Sequence, residues 1–127
     1  MESTDYLLEA KQALHSAFKF AHFWGHRSDK IYSAQHAHSG ILNALKALAL
    51  RQGLTFEPNA PLMEMMGVFW DHDKRYLEDR GIHELTLVNA CYWSLLDVYA
   101  AQEPPDKALL LDAISVAEKI IAECQEP

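Results

Sequence analysis

The sequence predicts an all-α fold: a single-domain, up-and-down bundle of about five helices. Three observations lead there. Apolar residues recur at three- and four-residue spacings in segment after segment, and no segment alternates with period two long enough to make a strand. Glycine and proline, five each, fall singly or in short clusters between those segments, as punctuation does between helices. At 127 residues the chain suits one core rather than two, so residues 1–127 are read as one domain.

The first helix is predicted from about Thr4 to Gly25, with Ser3 or Thr4 as its cap and Leu7, Leu14, Phe18 and Ala21 in register. Leu8, Phe20, Phe23 and Trp24 widen its apolar face, which predicts cover on more than one side. Ser28-Asp29 opens a second helix of about 25 residues, the spine of the fold. Its stripe is Ile31, Ala34, His38, Ile41, Leu45 and Leu48, and Gly53 stops it. Pro58 and Pro61 make LTFEPNAP a loop. A third helix is predicted from Pro61 through Met65, Met66, Phe69 and Tyr76 to about Glu78, ended by the turn Asp79-Arg80-Gly81. The fourth runs from about Glu84 to Ala101 on Leu87, Val88, Cys91, Leu95 and Val98. Glu103-Pro104-Pro105-Asp106 breaks the chain before a fifth, with the stripe Leu110, Ala113, Ile114, Ala117, Ile120, Ile121 and Cys124.

Composition narrows the function classes. Half of the residues are hydrophobic and 23% are charged, which is globular composition and not that of a disordered chain. Nothing approaches the ~20 apolar residues of a membrane span, and the acidic, amphipathic start MESTDYLLEAKQ lacks the signal-peptide pattern. Two cysteines, Cys91 and Cys124, in apolar helical surroundings predict buried free thiols and a cytoplasmic protein. The net charge of −7 argues against a general nucleic-acid binder. Residues 1–56 carry six bases and four acids, however, and residues 57–127 carry five bases and fourteen acids. An anion site therefore belongs on the N-terminal half, and the other half is an acidic surface or a dock for a basic partner.

The run AHSGILNALKALALRQGL resembles the signature helix of HEPN domains, small helical bundles that bind nucleotides. Ala37, Ile41, Ala44, Leu45, Lys46, Ala47, Leu48 and Gly53 fall where that pattern wants them. The resemblance extends to an opening helix rich in Phe and to the closing helices, over most of the chain. It departs at Leu42 and Asn43, where the family carries Glu and Lys, and at Asn59-Ala60-Pro61-Leu62, where a His-x-Leu is usual. Ribonuclease members also carry an Arg followed four to six residues later by a His. None of Arg27, Arg51, Arg75 and Arg80 has one, and the corresponding segment reads Leu96-Asp97-Val98-Tyr99-Ala100-Ala101. The resemblance thus implies a dimeric binding module without the family's catalytic residues, paired with a minimal nucleotidyltransferase in the manner of a toxin–antitoxin system. Trp24, Tyr92 and Trp93 are then candidates for an interface.

Seven histidines are the unusual feature of the composition. His15, His22 and His26 share one side of a helix, whereas His36 and His38 point to different faces. Neither Glu-x-x-His nor His-Glu-x-x-His occurs, so these are read as flank residues and no metal is expected. His38 lies in the apolar stripe and is read as a core or interface histidine. Trp70-Asp71-His72-Asp73 reads as a solvated helix face. The five glycines are scattered, so no phosphate-cradling loop forms and no cofactor is expected. Lys19, His22, His26, Arg27 and Lys30 surround the turn between the first two helices, beside a helix N-terminus. With His38, they are the candidate residues for an anion, nucleotide or RNA contact. The leading expectation is a non-catalytic, homodimeric module that binds a protein partner. The rival is a divergent RNA- or nucleotide-processing enzyme using the N-terminal histidines as acid–base groups.

Overall fold

The computed structural model describes residues 2–22, 25–96 and 103–125, and among these every regular element is helical. The elements are α1 (Ser3–His22), α2 (Arg27–Arg51), α3 (Leu62–His72), α4 (Tyr76–Asp79), α5 (Glu84–Ala90), a 3-10 turn at Trp93–Leu95, and α6 (Lys107–Gln125). The long second helix is the spine, as expected: α2 touches α1, α3, α5, the 3-10 turn and α6.

Small residues decide how closely α1 and α2 approach. Ala10, Ala13, Ala17 and Ala21 on α1 and Ala34, Ala37, Gly40, Ala44 and Ala47 on α2 are all buried, and α1 packs along α2. Short side chains let two helix backbones come near enough for direct bonds between them. Ser33 Oγ donates to the Ala17 carbonyl at 2.7 Å, and Ser3 Oγ donates to the Ala47 carbonyl at 2.9 Å. These pairs make α1 and α2 antiparallel. The expectation that Ser3 or Thr4 caps α1 is corrected by this: both lie within the helix, the Ser3 hydroxyl goes to α2, and the Asp5 carboxylate closes the first turn by accepting from the Glu2 N–H. At this same C-terminal end of α2, Arg51 bonds the Cys124 carbonyl, and the Cys124 thiol lies against the Ala44 carbonyl. The C-terminal ends of α2 and α6 therefore meet, and α6 runs opposite to α1.

Gly53 and Gly81 end helices by the same device. Each has a positive φ, 74° and 75°. Around Gly53, the Leu54 N–H returns to the Ala49 carbonyl and the Gly53 N–H to Leu50. Around Gly81, Ile82 returns to Leu77 and Gly81 to Glu78. This paired pattern satisfies the last helix carbonyls and requires a residue that tolerates the left-handed conformation. Lys46, a buried residue, holds the following loop by donating from its ammonium to the Pro58 carbonyl at 2.8 Å.

Two expected helices are shorter than their periodicity suggested. The third was expected to reach Glu78, but it stops at His72. Asp73 is extended there, and its carboxylate accepts from the Arg75 N–H at 3.0 Å, a local bond that competes with the helix. α4 then restarts, placing Tyr76 on Phe69 at 5.5 Å between ring centres. The fourth was expected to run to Ala101, but the α-helical part ends at Ala90, where the Cys91 N–H is shared between the Leu87 and Val88 carbonyls. Its buried residues are Leu87, Ala90, Trp93 and Leu96, a strict repeat of three. A repeat of three matches the pitch of a 3-10 turn better than 3.6 residues per turn. The expectations for Phe23, Trp24, Val98 and the 97–101 segment fall outside the described residues.

Candidate binding site

The structure gathers five of the six candidate anion-binding residues at one end of the α1–α2 pair. Lys19 and His22 occupy the last turn of α1, His26 precedes α2, and Arg27 and Lys30 lie in its first turn. Lys19, His22, His26 and Arg27 are exposed and Lys30 is half-buried. Asp29 sits in the same turn, an acid among the bases. His38 does not join them. It lies eleven residues beyond Arg27, about 16 Å along the helix axis.

His38 belongs to the contact of α2 with α5, where its Nδ1 lies 2.7 Å from the Ala90 carbonyl. A carbonyl only accepts, so Nδ1 carries the proton and Nε2 is the unprotonated nitrogen of the neutral ring. Burial lowers the His38 pKa from its ordinary value, and the bond to Ala90 offsets part of that effect. The reading of His38 as a hydrogen-bonded interior histidine fits this geometry.

The other histidines go separate ways. His15 lines a groove between α1 and α6. His36 stacks flat on Phe20, with ring centres 5.7 Å apart. His72 meets the Tyr76 ring edge-on, and His83 Nδ1 lies 3.6 Å from Glu78 Oε2. Glu78 also accepts from the Glu84 N–H, at the start of α5. That bond is the main cause that holds its carboxyl below the ordinary range, with His83 adding to it. Among the described residues, no group of three or more His, Cys, Asp or Glu is placed to hold a metal ion. Asp71, His72 and Asp73 are exposed beside a half-exposed Trp70, which agrees with a solvated face.

A surface that sequence reasoning missed lies on α5 and the 3-10 turn. Leu85 is 72% exposed, Val88 39%, Tyr92 54% and Leu95 39%, at spacings of three, four and three. They form one outward row on the segment whose opposite face buries Leu87, Ala90, Trp93 and Leu96. Val88 and Leu95 were expected in the core. The tightening after Ala90 turns the segment so that Trp93 and Leu96 take the inner places and Leu95 faces out, whereas Val88, within α5 before that point, is exposed while Leu87 and Ala90 take the inner places. Trp93, expected at an interface, is for the same reason a core residue, whereas Tyr92 is exposed. The signal available in the sequence was that residues 85–96 are apolar all round, which predicts cover on more than one side.

Both cysteines are free thiols, Cys124 buried and Cys91 half-buried. Cys91 Sγ lies 3.8 Å from the sulfur of Met66. Burial pushes both thiols up, Cys124 to about 11. No helix among the described residues is long and apolar enough to cross a membrane. Compared with known proteins, the chain matches no family model, no curated protein and no solved structure.

Proposed function

We propose that this chain is a non-catalytic helical binding module that acts as a homodimer through the exposed row Leu85, Val88, Tyr92 and Leu95. That row is the observation that carries the reading. It lies within residues 85–96, the longest run of the chain with no Asp, Glu, Lys, Arg or His. Two copies of a chain with a net charge of −7 repel, and least where neither brings a charge to the contact. A charge-free apolar row suits an isologous pairing, in which the same residues meet across a two-fold axis.

The protein partner this module serves is a minimal nucleotidyltransferase, the pairing suggested by the HEPN-like residues Ala37 to Leu48 of the second helix and the Gly53 that follows it. Its surface is the acidic half of the chain, and a nucleotide or RNA phosphate belongs at Lys19, His22, His26, Arg27 and Lys30, beside the α2 N-terminus. The cytoplasm is the compartment of this reading, supported by two free thiols.

Light scattering across a range of protein concentrations tests the dimer. The wild-type mass doubles with rising concentration, whereas Val88→Glu with Tyr92→Glu stays at one chain with unchanged helical circular dichroism. A single-chain mass for the wild type throughout overturns the reading.

A further inference from the structure

A second surface is unused by the proposed dimer. The groove between α1 and α6 has a volume of about 360 Å³. Leu14, Phe18, Ile121 and Ala122 make its apolar lining, and Lys11, His15, Glu118 and Gln125 its polar rim. Phe18 is 47% exposed there, an aromatic ring left partly open to water on the wall of a concave site.

The charges on the rim are not mixed at random. α1 and α6 are antiparallel, so Lys11 and Gln125 share one end of the groove, and Phe18 and Glu118 share the other. Lys11 and His15, one turn apart, are neighbours on the α1 side. One end thus offers an ammonium and an amide, the middle an imidazole beside the apolar lining, and the far end an acid. From Lys11 to Phe18 the groove is about 10 Å long, at 1.5 Å per residue.

We propose that this groove binds a small amphipathic carboxylate, an apolar body of about eight carbons with a single anionic head. The body covers Leu14, Phe18, Ile121 and Ala122, and the head lies at the Lys11 and Gln125 end, one turn from His15. Glu118 fixes the direction of binding, because a carboxylate placed at its end meets a like charge. Two features select this class together: an apolar lining excludes a polyanion such as a nucleotide, and a cation at only one end favours a single head group.

Octanoate is the probe, followed by amide chemical shifts of the full chain, with octyltrimethylammonium as the cation of matched length. The expected result is saturable shifts confined to residues 11–18 and 118–125 with octanoate, and binding at least tenfold weaker with the ammonium compound. Lys11→Glu weakens octanoate about tenfold. Ala122→Trp, a change at an exposed position, fills the groove and abolishes the shifts while the rest of the spectrum persists. Equal binding of both amphiphiles, shifts centred on Leu85 to Leu95, or indifference to Lys11→Glu overturns the proposal. So does the absence of saturable shifts with octanoate.

Discussion

Gly40 is the position where the packing of α1 against α2 gives a sign-reversing prediction. A Cβ added at residue 40 would stand 2.8 Å from Leu14 Cδ2, 3.1 Å from Leu14 Cγ and 3.6 Å from the Ala10 carbonyl oxygen. Two effects oppose one another. Replacing a glycine inside a helix by alanine stabilises it by about 1 kcal/mol. Forcing a methyl group this close to the Leu14 branch overpacks the contact and costs about 1–3 kcal/mol. Gly40→Ala is therefore expected to destabilise the protein by roughly 1 kcal/mol, a fall in Tm of about 4 °C for a chain of this size.

Leu14→Ala alone costs about 2–5 kcal/mol, nearer the lower figure because Leu14 borders the α1–α6 groove and the site can relax. In that background the obstructing carbons are gone, and Gly40→Ala becomes stabilising by about 1 kcal/mol. Urea unfolding of the four proteins at one fixed concentration measures the cycle. The account requires a coupling of about 1–3 kcal/mol and a change of sign. Equal stabilisation by Gly40→Ala in both backgrounds would refute the close approach at Gly40.

Three further expectations follow from other parts of the fold. Gly53→Ala loses about 1 kcal/mol because φ is +74° there, whereas Gly67→Ala, in α3 with nothing within 4 Å of the new methyl, gains about 0.5–1 kcal/mol; thermal melts of the two variants give opposite shifts. His38 has a folded pKa below its unfolded value near 6.5, so between those values the unfolded chain binds the extra proton and stability falls with acidification. Unfolding free energies of wild type and His38→Gln, which keeps a donor but does not titrate, are expected to draw apart as pH falls from 7.5 to 5.5, with wild type losing more; a constant difference contradicts the assignment. With its pKa near 11, Cys124 is thiolate in only about a thousandth of molecules at pH 8, so iodoacetamide labels it in the native protein at least a hundredfold more slowly than in urea, as peptide mass spectrometry would read.

The long helices were legible because their own residues suffice to define them. α2 shows its stripe from Ile31 to Leu48, and α6 shows Leu110 to Cys124; each has a clear boundary signal, Gly53 after one and Asp106 before the other. Asp106 indeed caps α6 by accepting from the Leu109 N–H. What resisted reading was set by local competition. At Asp73 a side chain bonds its own backbone, and at Cys91 an amide is shared between two carbonyls; neither alters hydrophobic periodicity in advance. The second of these decides which residues after Ala90 face the core, so the full outward row of Leu85, Val88, Tyr92 and Leu95 was hidden in a segment apolar on all sides. The basic turn was legible as a place, because Lys19 to Lys30 bracket a helix break. His38 was grouped with it by residue type, and only the fold separates them, through Ala90.

The measurement closest to the central claim is an isotope-filtered NOE experiment on a mixture of ¹³C-labelled and unlabelled chains. It reports contacts between copies and no others. The account predicts intermolecular cross-peaks among the side chains of Leu85, Val88, Tyr92 and Leu95. Intermolecular peaks confined to other residues, or none at a concentration where the mass has doubled, would contradict it.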